Sequence, residues 1–295
     1  MDLTPNDEQT AFQTATADWC RDNMPLEDAR SRPQGLWDQL EAMGWTGMTA
    51  PGMDLDHATE ALVFAELGRF LAPVALLSSA VAARWSGSEA KVALALPAGE
   101  QARIFDSDGA GQALGLFGGS VGRFAIDAAM PASPSLDQST TVAQTAIPGT
   151  VETLNDPRAA LHLQLLASAY ALGCADAARD MAAGYAKMRE QFERPIGWFQ
   201  AIKHICADTA VRAAVARSQL YYAACALDAN GADTAFHVAA AKRLADQAAL
   251  DNARANIQVH GGIGMTDEAY PHFCLKRAHL LQFIAPAERA ALLAA

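Results

Sequence analysis

Arg189-Glu190-Gln191-Phe192-Glu193-Arg194-Pro195-Ile196-Gly197-Trp198-Phe199-Gln200 interrupts an Ala-rich helical pattern that runs on both sides of it. Further on, Ile257-Gln258-Val259-His260-Gly261-Gly262-Ile263-Gly264-Met265-Thr266 breaks the pattern again. Helix packing alone requires neither polar groups nor backbone turns at these places. Arg194-Pro195 biases the chain toward an extended turn, because the proline ring crowds the residue before it. Phe199-Gln200 then re-enters a helix. The glycines at 261, 262 and 264 permit positive φ and close approach of a second backbone or a ligand. The same cluster also suits a plain interhelical turn. Arg189 offers either a fork of donors to a diphosphate or a cation for the negative end of a helix. Gln258, one turn before the glycines, is a neutral donor and acceptor able to reach a phosphate or a ribose.

Working outward, residues 152–295 read as long helices. Asn155-Asp156-Pro157 starts one that runs to about Arg189, Gln200 to Asn230 is a second, and Asp233-Thr234 caps a third that reaches about His260. A helix of roughly 30 residues spans about 45 Å. Only packing along its flanks stabilises such a length, so this part is a long-helix bundle. Apolar residues around much of the circumference predict burial against other subunits. Residues 1–90 read as shorter helices. Thr4-Pro5 is the expected first helix start, Trp37, Leu40 and Met43 recur at helical spacing up to Gly44, and Thr59 through Leu71 forms a strong helix ended or bent by Pro73. Between them, Lys91–Leu96, Gln101–Phe105, Leu114–Phe117, Arg123–Ile126 and Thr140–Ala143 are strand signals punctuated by Gly, Pro and Asp. Phe117-Gly118-Gly119-Ser120-Val121-Gly122 lacks the lysine of a phosphate loop and reads as a hairpin or loop. The expected fold is mainly α with a small β segment: helices over 1–90, a small sheet over 91–150, and a helical bundle over 151–295.

Composition narrows the function. The net charge of −11 excludes a basic nucleic-acid-binding face, while a few arginines still allow a local anion pocket. Cys20, Cys174, Cys206, Cys225 and Cys274 are scattered without a CxxC pair and read as free thiols of a cytoplasmic protein. The acidic, polar start is no signal peptide, and the apolar run from Phe70 to Ala83 is too short to span a bilayer. The histidines show no HExxH or paired spacing, so no metal is expected. His204 and His260 read as capping or interface groups.

The ordered motifs R-x-Q-F-x-R-P-I-x-x-F-Q-A-I-K-H, A-x-A-K, I-Q-V-H-G-G-I-G-M-T-x-E and L-K-R-A resemble the C-terminal domain of acyl-CoA dehydrogenases. Leu40-x-x-Met43-Gly44-Trp45-x-Gly47 and Glu66-Leu67-Gly68-Arg69 are similar to the first helical domain of that family. The resemblance implies an FAD cofactor. It implies that Arg189, Phe192, Gln258, Gly261 and Gly262 border the ADP half of an FAD held largely by a neighbouring subunit. Glu193 departs from the pattern, standing where many relatives have glycine. No loop in 91–148 matches the family's flavin-ring segment.

The family reaction takes an α proton to a carboxylate and a β hydride to flavin. A desolvated glutamate serves as that base. The resemblance places Ala285 at one of its two usual positions and Leu163, beside His162, at the other, and neither carries a carboxylate. Glu288 and Asp156 are the acids nearest in sequence, and Glu268 reads as a helix cap. Three readings follow. The chain is the non-catalytic partner in a heteromeric acyl-CoA dehydrogenase, of the type that desaturates bulky steroid-side-chain thioesters and passes electrons to a separate acceptor. Alternatively it self-associates into a complete enzyme with a relocated base, or it is a flavin-free scaffold of the same fold.

Overall fold

The computed structural model describes residues 4–293. Four helices come first: α1 (Asp7–Asn23), α2 (Leu36–Ala42), α3 (His57–Arg69) and α4 (Ala75–Ser86). The start of α1 is capped by Asn6 rather than by Thr4. The Asn6 side chain accepts from Gln9 N while the Gln9 side chain accepts from Asn6 N, a reciprocal capping box. The Thr59 helix begins two residues earlier than its apolar pattern suggested, because Asp56 accepts from Thr59 N and caps it. The apolar run from Phe70 to Ala83 is not continuous helix. Leu71 takes a left-handed conformation at φ 55° before Pro73, and α4 starts afresh at Ala75.

Seven strands follow: β1 (Val92–Ala98), β2 (Gln101–Phe105), β3 (Gln112–Phe117), β4 (Ser120–Ala125), β5 (Ser133–Pro134), β6 (Thr141–Ala146) and β7 (Glu152–Thr153). Their order in the sheet is β5-β6-β2-β1-β3-β4-β7, antiparallel except for the parallel β1–β3 pair. The two-residue strands β5 and β7 are too short to show alternation and carry no sequence signal. Gly118 and Gly119, both at positive φ, make the tight β3–β4 turn. One sheet face, with Val92, Leu94, Phe105 and Leu114, joins the main helical core. The other face has its own small cluster around Ala93, Ala95, Ile104 and Phe124.

The bundle consists of α5 (Arg158–Met188), α6 (Gln200–Ala229), α7 (Thr234–His260), α8 (Pro271–Leu281) and the short α9 (Arg289–Leu293). Asp233 precedes α7 without a side-chain capping bond, so its expected role is not realised; Thr234 instead bonds back to Ala226 O and Gly231 O. All five cysteines are unpaired. Among the described residues no helix is long and apolar enough to cross a membrane.

The crossing of α3 and α5 joins the first helices to the bundle. A Cβ on Gly173 would lie 2.1 Å from Ala65 O, and one on Gly68 would lie 2.5 Å from the Tyr170 Cα. The two backbones therefore touch, and Gly68 is required by packing. Beside the crossing, Arg69 pairs with Glu66 and Asp180. Gly173→Ala is expected to destabilise the protein by at least about 1–3 kcal/mol, the cost of overpacking a filled core; urea unfolding midpoints measure it.

Candidate functional site

Three places in the structure carry unusual chemistry, and α5 runs past all of them. The first is the corner where α5 ends. Between Met188 and α6, β8 (Glu190–Gln191) and β9 (Arg194–Pro195) form a small hairpin whose two-residue turn is Phe192-Glu193. Both turn residues have positive φ, 54° and 60°. Such a turn fits the twist of a hairpin but favours glycine or asparagine, so Glu193 occupies a position whose geometry suits the expected glycine. Phe192 is 82 % exposed and meets Phe199 edge-on at 6.0 Å. Arg194 and Lys203 lie over the Trp198 ring at 5.4 and 5.8 Å.

The second glycine-bearing turn folds onto this corner. At the end of α7, Gly261 has φ 66° and its N–H donates to Gln258 O and Ile257 O. Gly264 is glycine because a Cβ would lie 2.9 Å from the His260 Cβ and 3.0 Å from Ile257 O. Nothing lies within 4 Å of a Cβ at Gly261 or Gly262, leaving their outer side open. His260 stacks on Tyr185 with ring centroids 4.1 Å apart and bonds Asn256 O through Nδ1. Val259 packs with Ala182, Ala186 and Ile196 beneath. The stack thus holds the end of α7 beside the last turn of α5, one turn before Arg189. Arg189, Phe192, Gln258, Gly261 and Gly262 are all exposed. A free guanidinium, an aromatic face, an amide and bare backbone on one exposed corner suit a dinucleotide diphosphate approaching from outside. His204, expected at an interface, is exposed on α6.

The second place lies near the start of α5. Leu163 and Ala285 line a common cavity of about 250 Å³, with Leu94, Leu96, Leu116 and Phe283 around it. Ala285 sits in a left-handed turn at φ 42°. Gln164 holds that turn, donating through Nε2 to Ala285 O and Pro286 O, each at 2.9 Å. This clamp is invisible in the sequence, where Gln164 is one more polar residue on an Ala-rich helix. No carboxylate lines the cavity. Asp156 is held by Arg158, which keeps its carboxyl below the usual range. Glu288 and Glu268 are exposed.

A third cluster escaped the sequence reading. Glu60, fully buried on α3, accepts from His162 Nε2 at 2.6 Å, and Thr49 Oγ1 lies 3.3 Å from both of its oxygens. Trp85 Nε1 donates to His162 Nδ1 at 3.1 Å. His57 stacks edge-on against His162 and bonds Asp228 Oδ1 through Nδ1 at 2.6 Å. One ligand atom each from His57, Glu60 and His162 falls within 4.8 Å of the others. The indole donor nevertheless fixes the His162 tautomer: the proton sits on Nε2 and points at Glu60, leaving that nitrogen no lone pair for a metal. The available signal was a glutamate and a histidine at apolar phases of two helices.

With this geometry, the matches to known proteins take on meaning. Residues 6–93 match the acyl-CoA dehydrogenase N-terminal domain and residues 155–285 the acyl-CoA dehydrogenase C-terminal domain. The chain is 32 % identical over 267 residues to acyl-CoA dehydrogenase IpdE2 of Mycobacterium tuberculosis, a match covering 85 % of this chain and 82 % of that protein. It superposes on a variant of the Tcur3481-Tcur3483 steroid ACAD with TM-score 0.76 and 22 % identity, covering 97 % of this chain and 96 % of that one. It superposes on the FAD complex of PigA with TM-score 0.79 and 17 % identity, covering 99 % and 98 %. The chain belongs to the acyl-CoA dehydrogenase family, FAD-dependent oxidoreductases that act on acyl-CoA thioesters.

Burial pushes the His162 imidazole below its ordinary 6.5, against the pull of Glu60. The unfolded chain takes up a proton near pH 6.5 that the folded chain refuses. This contribution to stability is complete above about pH 6.5 and is lost as pH falls below it. His162→Gln is expected to flatten the loss of thermal stability between about pH 7 and 5. An unchanged slope in melting temperature against pH would count against this assignment.

Proposed function

We propose that this chain is a non-catalytic subunit of a heteromeric FAD-dependent acyl-CoA dehydrogenase. It lends its Arg189 corner to an FAD housed mainly by a catalytic partner. The observation that carries this reading is a distance. Leu163 stands on α5 and Arg189 follows its last residue, and a rise of 1.5 Å per residue separates them by about 39 Å. One dinucleotide cannot border both the corner and this chain's own cavity. The corner therefore serves a flavin in another subunit, and the cavity at Leu163 and Ala285 has no group able to accept a proton.

The chemistry of the corner follows from its parts. FAD, when bound, supplies the electron sink for the desaturation. Arg189 pairs with the diphosphate, Phe192 packs against it, Gln258 bonds a phosphate or ribose oxygen, and Gly261 and Gly262 let backbone approach. The general base, the flavin-ring contacts and the electron acceptor's docking site belong to the partner. The likeness to a steroid ACAD named by two chains favours a bulky acyl thioester as substrate and a heteromeric assembly built through the long-helix bundle.

In the complex with a co-expressed catalytic subunit, Arg189→Ala is expected to weaken FAD retention by about 10- to 150-fold, the equivalent of about 1.5–3 kcal/mol for a charge-assisted contact. Unchanged flavin occupancy across a dilution series would overturn the assignment.

Replacing Glu288 and Asp156 by their amides is expected to leave turnover of the complex within about tenfold, whereas loss of a general base costs about 10²–10⁴. Abolished turnover in Glu288→Gln, with flavin content and assembly intact, would make this chain catalytic. Stoichiometric flavin and turnover in the chain alone would instead select a self-sufficient homomer.

A further inference from the structure

The exposed corner draws its groups from two helices that end side by side. Arg189 follows the last residue of α5, while Gln258 lies in the last turn of α7 and Gly261 directly follows it. The place of Arg189 is set by its backbone. Its N–H donates to Tyr185 O at 2.9 Å, and its own carbonyl accepts from Ile196 N at 2.8 Å. The turn at Ile196–Trp198 is seated on α5 in its own right, because a Cβ at Gly197 would lie 2.9 Å from Ala186 O. Everything on this side of the corner is therefore referred to the Tyr185-Ala186 turn of α5.

On the other side, His260 is the last residue of α7 and Gly261 comes next. Its Nδ1 lies 2.9 Å from Asn256 O. A carbonyl only accepts, so the proton sits on Nδ1 and the ring is anchored to its own helix. Burial holds the imidazole below its ordinary 6.5, so the ring is uncharged at neutral pH. The Tyr185 ring covers it at 4.1 Å between centroids and 24° between planes. Both rings are half-buried. One stack thus joins the residue whose carbonyl receives Arg189 to the residue that precedes Gly261.

We propose that Tyr185 and His260 are positioning residues for the corner: their stacked rings hold the ends of α5 and α7 in register, so that Arg189 and the Gly261-Gly262 backbone meet the same diphosphate. The inference rests on the reading of this corner as a contact to FAD. Neither ring has to touch the cofactor. A corner set in advance spends less of the binding energy on ordering its parts. Without the stack each helix end moves separately, and Arg189 loses part of its effect. The contributions of Tyr185 and Arg189 are therefore coupled rather than additive. The ring of Tyr185 performs this role, and its hydroxyl is not needed.

FAD dissociation constants of the complex with a co-expressed catalytic subunit test the coupling. Tyr185→Leu is expected to weaken FAD by at least about fivefold, and Arg189→Ala to cost at least about fivefold less in that background than alone, as for groups that share a backbone shift. Tyr185→Phe, which keeps the ring, is expected to stay within about twofold of the native complex. His260→Leu removes the stack from the other helix and takes the place of Tyr185→Leu if that chain does not assemble. Fully additive losses, or Tyr185→Phe as damaging as Tyr185→Leu, would overturn the proposal. Hydrogen exchange of the same complexes, followed by mass spectrometry, gives a readout without turnover. Both leucine variants are expected to speed exchange over 186–199 and 257–266 together, and Tyr185→Phe over neither. Unchanged exchange in the leucine variants would remove the stack as the link. Arg189→Ala without effect on FAD would remove the flavin reading of the corner and this inference with it, whereas an Arg189 effect uncoupled from Tyr185 would remove this inference alone.

Discussion

Arg277 is completely buried, and so is its partner Asp137. The pair sits where three parts of the molecule meet. From α8, Arg277 donates to Asp137 between β5 and β6, to Ser139 Oγ at 2.8 Å, and to Ala72 O at 2.7 Å behind α3. Taking a guanidinium out of water costs several kcal/mol, repaid only when nearly every donor is matched. Here the matches come from the N-terminal helices, the sheet and the bundle at once. The pair therefore specifies an arrangement more than it adds stability, and the seat of α8 against the sheet and the first helices depends on it.

The same logic recurs where α3 begins. Asp228, at the end of α6, accepts from the backbone N–H groups of His57 and Ala58 and from the His57 ring. It neutralises free donors at a helix N-terminus while tying the first helices to the bundle from the far side. The buried Lys242, bonded to Asp246 and to Leu281 O, does likewise between α7 and α8. These polar ties join separate elements, and the long apolar flanks of α5 and α7 supply the bulk of the burial between them.

Much of the architecture was legible because it rests on local rules. The long bundle helices announce themselves by length and periodicity, and Asn230-Gly231 ends α6 as its composition suggests. The Arg189 and Gly261 turns stand out because each breaks a pattern for no packing reason. What was not legible depends on partners distant in sequence. Nothing near Glu60 says that His162 will face it, nothing near Gln164 names the Ala285 turn, and the stack of Tyr185 on His260 joins two segments through the third dimension. Asp233 and Thr4 had the right residue types for caps, but α7 starts without a side-chain capping bond and Asn6 caps α1.

The meeting of Gly68 and Gly173 carries one more implication. Where helices cross on side chains, every change in side-chain size turns one helix against the other. At this crossing the main chains themselves are in contact, so the angle is set by atoms that all residues share. Changes in the surrounding side chains leave that pivot in place. A lineage built on such a crossing can lose a catalytic group, shrink its sheet or line a cavity with different chemistry, and still keep its first helices seated on the bundle at the same angle.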